Sequence, residues 1–262
     1  MQEIFQSEYS EALYYAIKRF YYEDLPFVAR DMQNTTEANR IVQWWMEDYN
    51  PEYNPYILLK KQAAQEAVEF INRDAANAII IPIRTWQEKN KFIEYVISQA
   101  NENPLVVECG VYNGTTINIM AEKRPNAVLY GFDSFEGLPE DWNGYILEEG
   151  HFAVTKMPSV QQNVHLIKGW FSETLPVFVT EHENQYIDVL HIDSDIYSSA
   201  ATALESLKVM IKRGTIIVFD EYFNYPGWKN HEYKAFQEFS QRYMMEYEAM
   251  AVGFTQMAFR VK

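Results

Sequence analysis

The chain has 262 residues, with 22 lysines and arginines against 37 aspartates and glutamates, which gives a formal net charge of −15. This length accommodates one large or two small domains with a buried core. The charge argues against nucleic acid or an anionic membrane surface as a partner, since both are bound by clustered Lys and Arg side chains. The one cysteine, Cys109, excludes an internal disulfide framework and a cysteine-rich zinc site.

The opening residues MQEIFQSEYSE are polar and acidic, unlike the basic and then apolar start of a signal peptide. The longest apolar runs, at residues 78–83 and 215–219, are much shorter than the ~20 residues that a membrane-spanning helix needs. We therefore expect a soluble, cytoplasmic protein with no membrane partner.

The first hundred residues carry apolar side chains at helical spacing, which predicts amphipathic helices. The three groups are Leu13, Ile17 and Phe20; Ile41, Trp44 and Trp45; and Ala67, Phe70 and Ile71. This segment is also rich in tyrosine, whose ring combines apolar area with a hydrogen-bonding tip. We interpret residues 1–100 as a helical cap whose aromatic side chains face the core, form a lid over a ligand, or form an interface in a homo-oligomer.

From residue 101 onward, short apolar runs alternate with segments of helical length. The expected strands are Leu105–Cys109, Val128–Phe132, Val164–Ile167, Ile187–Ile192 and Thr215–Phe219, and the expected helices include Thr116–Arg124, Ala200–Lys212 and Lys229–Tyr243. Almost wholly apolar strands joined by helices indicate a parallel sheet covered on both faces. The tail predicts an antiparallel hairpin around Gly253. The expected fold is thus an α/β doubly wound domain over residues 101–262, mostly parallel with an antiparallel C-terminal hairpin.

The run VVECGVYNGTT passes from the first of these strands through Gly110 and Gly114 into a helix. Glycines in such a turn let the backbone approach a ligand, and the free N–H groups of the new helix point at it. A dinucleotide fingerprint requires a glycine where Tyr112 stands. Glu108 at the strand end suits a cationic or amino-bearing ligand. This spacing favours S-adenosylmethionine over NAD, with an ordinary strand-to-helix turn as the alternative.

Asp133 ends the next strand, where a carboxylate accepts hydrogen bonds from ribose hydroxyls. Nicotinamide enzymes bind ribose hydroxyls in the same way. This residue therefore predicts a nucleoside cofactor but does not distinguish S-adenosylmethionine from NAD.

Four acidic residues follow the fourth and fifth strands, in HIDSDIYSS and VFDEY: Asp193, Asp195, Asp220 and Glu221. Because the carboxyl ends of parallel strands meet at one edge of a sheet, these side chains are expected to converge. Such a group repels itself unless a cation or a proton lies among its members, and oxygen ligands suit Mg²⁺. Solvated loop acids, or a helix cap at Asp195, are the alternative.

Methyl transfer to an alcohol requires that the hydroxyl proton be removed as the oxygen attacks. Asp195 is the expected general base, and His191 and His231 are competing candidates because imidazole titrates near neutrality.

Together the strings ECGVYNGTT, YGFDSFEGLPEDW, KGWFSETLP, HIDSDIYSS and VFDEYFNYPGWKNHEYKAFQEF resemble the macrocin O-methyltransferase family. These are class I methyltransferases that use S-adenosylmethionine and modify sugars of macrolide and aminocoumarin natural products. The resemblance implies a Rossmann-like sheet whose last strand is antiparallel.

The resemblance also implies roles for individual residues. Glu108, Gly110 and Gly114 would hold the methionine part of the cofactor and Asp133 its ribose, while Ser134, Gly169 and Trp170 would flank the adenine. Tyr112, Thr115 and Asp193 complete the expected cofactor site. Asp193, Asp220 and Glu221 would bind Mg²⁺, with Asp195 as the base. The loop Tyr112–Thr115 departs from the family pattern, and the first hundred residues, a segment that usually helps to build the acceptor site in this family, do not align with it. The acceptor therefore stays open.

The sequence thus predicts a Mg²⁺-dependent O-methyltransferase that acts on a hydroxyl of a small-molecule natural product. Methylation of a carboxylate or amine without a metal and a non-catalytic cofactor-binding scaffold are the alternatives. A nucleic-acid methyltransferase is rejected, although Asn54-Pro55-Tyr56 faintly resembles an N-P-P-Y element. That triad lacks the second proline, precedes the cofactor strand, and lies in a chain with no basic stripe.

Overall fold

The structure is a computed structural model that describes residues 55–83, 88–145 and 147–262. The helices predicted around Leu13, Ile17 and Phe20 and around Ile41, Trp44 and Trp45 lie outside these residues. Residues 59–262 form one compact unit.

Helices and strands alternate along most of the described chain, and we number them in chain order. They are α1 (Pro55–Asp74), β1 (Ile79–Ile80), α2 (Asn90–Ser98), β2 (Leu105–Cys109), α3 (Thr115–Lys123), β3 (Val128–Asp133), β4 (Val164–Lys168), α4 (Phe171–Glu181), β5 (Val189–Ile192), α5 (Tyr197–Leu207), β6 (Ile216–Phe219), α6 (Glu232–Arg242), β7 (Tyr247–Val252) and β8 (Met257–Val261). Short 3₁₀ turns cover Lys208–Met210 and Trp228–Asn230.

The eight strands form one sheet in the order β1-β7-β8-β6-β5-β2-β3-β4. Every pairing is parallel except those of β8, which runs antiparallel to both β6 and β7. After β2 the chain proceeds outward through β3 and β4, and it then returns to place β5 on the other side of β2. This reversal opens a crevice at the carboxyl ends of β2 and β5, where doubly wound sheets bind their ligands.

Apolar side chains fill both faces of the sheet, because alternate residues of a strand point to opposite sides. On one face α2 and α3 pack over Val106 and Leu129. On the other face α1, α4, α5 and α6 pack over Val107 and Phe132. A parallel sheet buried on both sides explains why its strands are apolar throughout.

These observations confirm the predicted fold class. All five predicted strands are present, and the tail forms the antiparallel hairpin around Gly253. The helix predicted over Ala200–Lys212 differs in its bounds: α5 begins at Tyr197, and the 3₁₀ turn replaces its last part.

Described residues before position 100 contribute a strand to the sheet and apolar side chains to the core, beyond the helices that the sequence pattern predicts. The short edge strand β1 pairs with β7, and α2 buries Phe92, Ile93 and Val96 against the sheet. Ala67 and Phe70 of α1 are buried, as their helical spacing predicts. Within the described residues no helix is long and apolar enough to span a bilayer. The assignment of residues 1–100 to a cap stays a prediction.

Candidate active site

A cavity of about 450 Å³ opens at the carboxyl ends of the central strands. Eleven of the thirteen predicted site residues line it: Gly110, Tyr112, Thr115, Asp133, Ser134, Gly169, Trp170, Asp193, Asp195, Asp220 and Glu221. The other two, Glu108 and Gly114, are not among the described residues that line it. The structure therefore brings the loops after β2, β3, β4, β5 and β6 to one place, as the sheet topology requires.

Gly110 is the point of closest approach between two of these loops. It has a φ of +97°, and a Cβ atom built there would lie 1.7 Å from the carbonyl oxygen of Asp193. The register explains the contact, since Cys109 pairs with Ile192 and the next residue of each strand is therefore adjacent. Only glycine can occupy this position without forcing β2 and β5 apart.

Gly114 serves a different purpose at the N-cap of α3. Its φ of +79° is left-handed, and it lets the chain enter the helix beside Pro158. It shapes the turn without lining the cavity.

The Asp133 carboxylate holds this turn in place. One oxygen accepts hydrogen bonds from the backbone N–H groups of Val111 and Tyr112, both at 2.8 Å, and the other accepts from Phe135 N–H at 2.6 Å. Tyr112 has a φ of +49°, so its strained backbone is fixed by one of these bonds. About one of the four lone-pair positions of the carboxylate stays available to a ligand.

Glu108 is fully buried behind the cavity wall. One carboxylate oxygen accepts a 2.5 Å hydrogen bond from the Thr116 hydroxyl and lies 2.9 Å from Nδ1 of His191. Burial alone would lower the pKa of His191, but its hydrogen bond to Glu108 and the charge of that carboxylate outweigh this and raise the pKa to about 9. In this structure Glu108 orders the sheet interior, and its contact with a cofactor stays a prediction.

Ser134, Gly169 and Trp170 also line the cavity. The Ser134 hydroxyl accepts a hydrogen bond from Glu136 N–H, and Gly169 N–H donates to the carbonyl of Asp133. Trp170 is the N-cap residue of α4, and its side chain is half-buried. These contacts tie the loops after β3 and β4 together.

Three acidic side chains converge beside this region. Asp193, Asp195 and Glu221 each offer an oxygen within 4.8 Å of the others. Asp195 is buried and has a left-handed φ of +67°, which aspartate tolerates better than most residues. One oxygen of Glu221, Oε2, is buried with no hydrogen-bond partner in the described part of the protein.

Asp220 belongs to the same cavity but has other partners. It accepts a 2.6 Å hydrogen bond from the side-chain amide of Gln256, and it forms an ion pair with Lys89. The Lys89 ammonium also lies 3.2 Å from Glu221. The sequence patterns gave no indication of this lysine, because 130 residues of intervening chain separate it from Asp220.

A fifth carboxylate, that of Glu232, connects the acidic loops after β5 and β6. Glu232 is fully buried at the first turn of α6. It accepts hydrogen bonds from the backbone N–H groups of Ser194, Asp195 and Glu221, each at 3.2 Å. The positive N-terminal end of α6 favours a carboxylate there. Although Glu232 lies within the string KNHEYKAF, only the folded structure shows that it anchors both loops.

The pKa values of the acidic side chains show that their negative charges repel one another. Burial, followed by the charge of Asp220, raises the pKa of Asp193 to about 7, and burial, followed by the charge of Asp193, raises that of Glu232 to about 8. Burial and neighbouring acids also raise the pKa values of Asp195 and Glu221. In contrast, Lys89 overcomes the effect of burial and lowers the pKa of Asp220.

This donor set fits a hard divalent cation. Its members are all carboxylate oxygens, which Mg²⁺ prefers, and one buried oxygen has no protein partner among the described residues. The raised pKa values come from burial and from the mutual repulsion of the acids, and a bound cation would offset this repulsion.

Aromatic and apolar side chains form one wall of the cavity. They include Leu138, Trp142, Tyr145, Leu147 and Phe152. The Trp142 and Tyr145 rings lie 4.4 Å apart, and Tyr145 lies 5.0 Å from Tyr225 behind it. Nε1 of Trp142 is buried and has no hydrogen-bond partner in the described structure. Such a surface suits a ligand with a flat or apolar ring face.

The two candidate histidines lie outside the described lining of the cavity. His191 is within the sheet and paired with Glu108, while His231 is the N-cap residue of α6, with its ring 6.4 Å from that of Trp142. Burial lowers the pKa of His231. Of the three candidate bases, Asp195 is the one that lines the cavity.

The sheet order, the glycine turn and the converging loops define a class I, Rossmann-like methyltransferase fold. Residues 107–222 match a family model described as a methyltransferase domain. Together with the relatives and the solved structure described next, this match confirms the predicted resemblance to the macrocin O-methyltransferase-like class I methyltransferases.

Two curated relatives are O-methyltransferases. The chain is 28% identical over 140 residues to 8-demethyl-8-(2,3-dimethoxy-alpha-L-rhamnosyl)-tetracenomycin-C 4'-O-methyltransferase of Streptomyces olivaceus, covering 45% of this chain and 52% of that protein. It is 26% identical over 203 residues to demethyldecarbamoylnovobiocin O-methyltransferase of Streptomyces niveus, covering 65% and 74%. The chain thus spans about half the length of the first relative.

Among solved structures, the chain is similar in fold to a calicheamicin methyltransferase. The superposition has a TM-score of 0.56 at 20% sequence identity, and it covers 76% of this chain and 91% of that chain.

Substitution of Gly110, compared with a matched control, should separate the cost of a left-handed backbone from the cost of a steric clash with the loop after β5. Gly110→Ala should lower the free energy of unfolding by more than about 3 kcal/mol, because its Cβ meets backbone that cannot move aside. Gly214→Ala is the matched control, since Gly214 has a φ of +96° and a Cβ there would meet nothing within 4 Å in the described structure. That control should cost only about 1–2 kcal/mol. Urea unfolding measures both, and equal losses would contradict the proposed contact.

Glu232→Ala should leave three buried N–H groups without their acceptor and lower the free energy of unfolding by about 2–3 kcal/mol. Glu238→Ala, on the same helix, removes one hydrogen bond to Tyr197 and should cost about 1 kcal/mol or less. Urea unfolding of both variants tests the difference. If Glu232→Ala is as stable as the control, the two loops do not depend on this carboxylate.

Proposed function

We propose that the protein is an S-adenosylmethionine-dependent O-methyltransferase that acts on a hydroxyl of a small-molecule natural product. The observation that carries this proposal is that the glycine turn and the carboxylate cluster line one cavity at the switch point of a methyltransferase fold. A methyl donor bound at the glycine turn would lie opposite an acceptor bound beside the carboxylate cluster.

The cofactor side of the cavity is assigned to the loops after β2, β3 and β4. Gly110, Tyr112 and Thr115 line this side of the cavity, and the remaining lone pair of Asp133 would accept a hydrogen bond from a ribose hydroxyl. Ser134, Gly169 and Trp170 would border the adenine. In this arrangement Asp133 has two tasks, since it shapes the turn and contacts the ligand.

The acceptor side is assigned to the aromatic and apolar wall around Trp142 and Tyr145. The two relatives named above act, by their names, on a rhamnosylated tetracenomycin and on a novobiocin precursor. An acceptor with a ring face that packs on tryptophan and tyrosine, and with a hydroxyl directed at the acids, suits this wall. The class proposed is a glycosylated or phenolic natural product.

The carboxylate cluster is assigned to activation of the acceptor hydroxyl. Asp193, Asp220 and Glu221 would hold Mg²⁺, which when bound lowers the pKa of a coordinated hydroxyl and fixes its position. Asp195 would accept the proton as the oxygen attacks the methyl group. In the metal-free chain, burial and the charge of Asp193 raise the pKa of Asp195, and this carboxylate lines the cavity where the acceptor would lie.

Methyl transfer without a metal is the second candidate. The observation that favours it is the Lys89 ion pair, which supplies a cation to the cluster from within the chain. An amine or carboxylate acceptor would need no help in losing a hydroxyl proton. Cytoplasmic location, homo-oligomerisation and the absence of nucleic-acid and membrane partners stay predictions.

The proposed activity is tested by binding and by transfer. Calorimetry with S-adenosylhomocysteine should show micromolar binding to the wild-type chain. S-adenosylmethionine with a labelled methyl group should transfer the label to glycosylated or phenolic acceptors, with more product in Mg²⁺ than in EDTA. Equal transfer in EDTA would favour the metal-independent candidate. No cofactor binding would overturn the proposal, and binding without transfer to any acceptor would indicate a scaffold.

Asp195→Asn should lower kcat by roughly 10²–10⁴-fold, the usual contribution of a general base. Asparagine accepts the left-handed backbone of this position, so the loop should keep its conformation. Affinity for S-adenosylhomocysteine should stay within a few fold. Asp141→Asn, at an exposed acid outside the cluster, should leave both quantities unchanged. If kcat of Asp195→Asn matches that of the control, the base must be sought elsewhere.

A further inference from the structure

Lys89 enters the candidate active site from the start of α2, outside the motifs that define the cofactor and acid loops. Its side chain is only 18% exposed, and its ammonium contacts one oxygen of Asp220 and lies 3.2 Å from Oε1 of Glu221. Lys89 also lines the cavity. A lysine in this position is costly to bury unless the acids compensate it.

The ion pair divides the acids into two groups. Asp193, Asp195 and Glu221 present oxygens within 4.8 Å of one another, whereas Asp220 belongs to neither of the acidic groups with ligand spacing among the described residues. Asp220 instead uses its two oxygens on Lys89 and Gln256. The lysine therefore occupies an oxygen that Asp220, one of the three proposed metal ligands, would have to offer.

We propose that Lys89 is a built-in counter-cation that competes with a divalent metal for Asp220 and Glu221. A metal ion and an ammonium group bound to the same carboxylate oxygens repel each other at short range. Metal binding therefore requires the lysine to withdraw, and withdrawal frees Asp220 to join the other acids. The inference rests on the metal site of the proposed function, and it concerns metal affinity rather than turnover.

A purely structural role for Lys89 makes the opposite prediction. If the lysine only fastens α2 to the loop after β6, its removal should loosen the acids and weaken metal binding or leave it unchanged. If it competes with the metal, its removal should strengthen metal binding.

Metal titration of four proteins distinguishes these roles. Calorimetry with Mg²⁺, and electron paramagnetic resonance with Mn²⁺, should be applied to the wild type, Lys89→Met, Lys89→Arg and Lys91→Met. The Lys91 variant is the matched control, because this residue lies on the same helix, is half-exposed and pairs with Glu88. Lys89→Met should bind metal at least about tenfold more tightly, the lower range for a residue that tunes a metal site. Lys89→Arg and Lys91→Met should resemble the wild type.

A measurement on the wild-type chain supplements the variants, in case Lys89→Met does not fold. Acetylation by acetic anhydride, mapped by mass spectrometry, should be slow at Lys89 without metal and faster in Mg²⁺, while Lys91 should react equally in both. Unchanged Lys89 reactivity under saturating metal would overturn the inference. So would metal affinity in a folded Lys89→Met that is equal to or below that of the wild type.

Binding of S-adenosylhomocysteine to the same proteins separates this inference from the proposed function. Cofactor binding with no metal binding in any variant would overturn the inference and leave methyl transfer standing. No cofactor binding by the wild type would overturn the proposed function, whatever the metal titrations show.

Discussion

The active-site edge of this protein depends on how a dense group of buried carboxylates is balanced. Five acids from the loops after β5 and β6 and the start of α6 lie close together, and burial raises the pKa of most of them. Each is compensated differently: Glu232 by three backbone N–H groups, Asp220 by Lys89, and Asp193, Asp195 and Glu221 only in part. The incompletely compensated acids face the cavity, where a cation or an acceptor proton would complete the balance.

The same use of carboxylates recurs on the cofactor side of the cavity. Asp133 accepts three backbone hydrogen bonds and so fixes a turn that contains the left-handed Tyr112, while Glu108 binds Thr116 and His191 inside the sheet. Asp133 and Glu108, which the sequence predicts as cofactor contacts, therefore also hold the chain around the cavity in place. A site built in this way holds its geometry before any ligand arrives, which lowers the entropic cost of binding.

Position along the chain is a poor guide to position in this site. Lys89 belongs to a segment whose pattern suggests only helix, and yet its ammonium reaches the acids after β6. Glu232 follows those acids by more than ten residues and returns beneath them. Both contacts arise because α2 and α6 pack beside the carboxyl ends of the strands, one on each face of the sheet. The cofactor and acid loops are local extensions of strands, whereas these two residues come from neighbouring layers.

The sequence by itself determined the fold class, the five central strands and eleven residues of the cavity lining. It could do so because apolar strands, glycine turns and acids at strand ends are local patterns, and a parallel sheet gathers its strand ends at one edge. Only the tertiary structure decided that Glu108 points inward, that Asp220 pairs with Lys89, and that Glu232 joins two loops. Each of these depends on which side chains packing brings within hydrogen-bonding distance, and no periodicity or spacing along the chain encodes that distance.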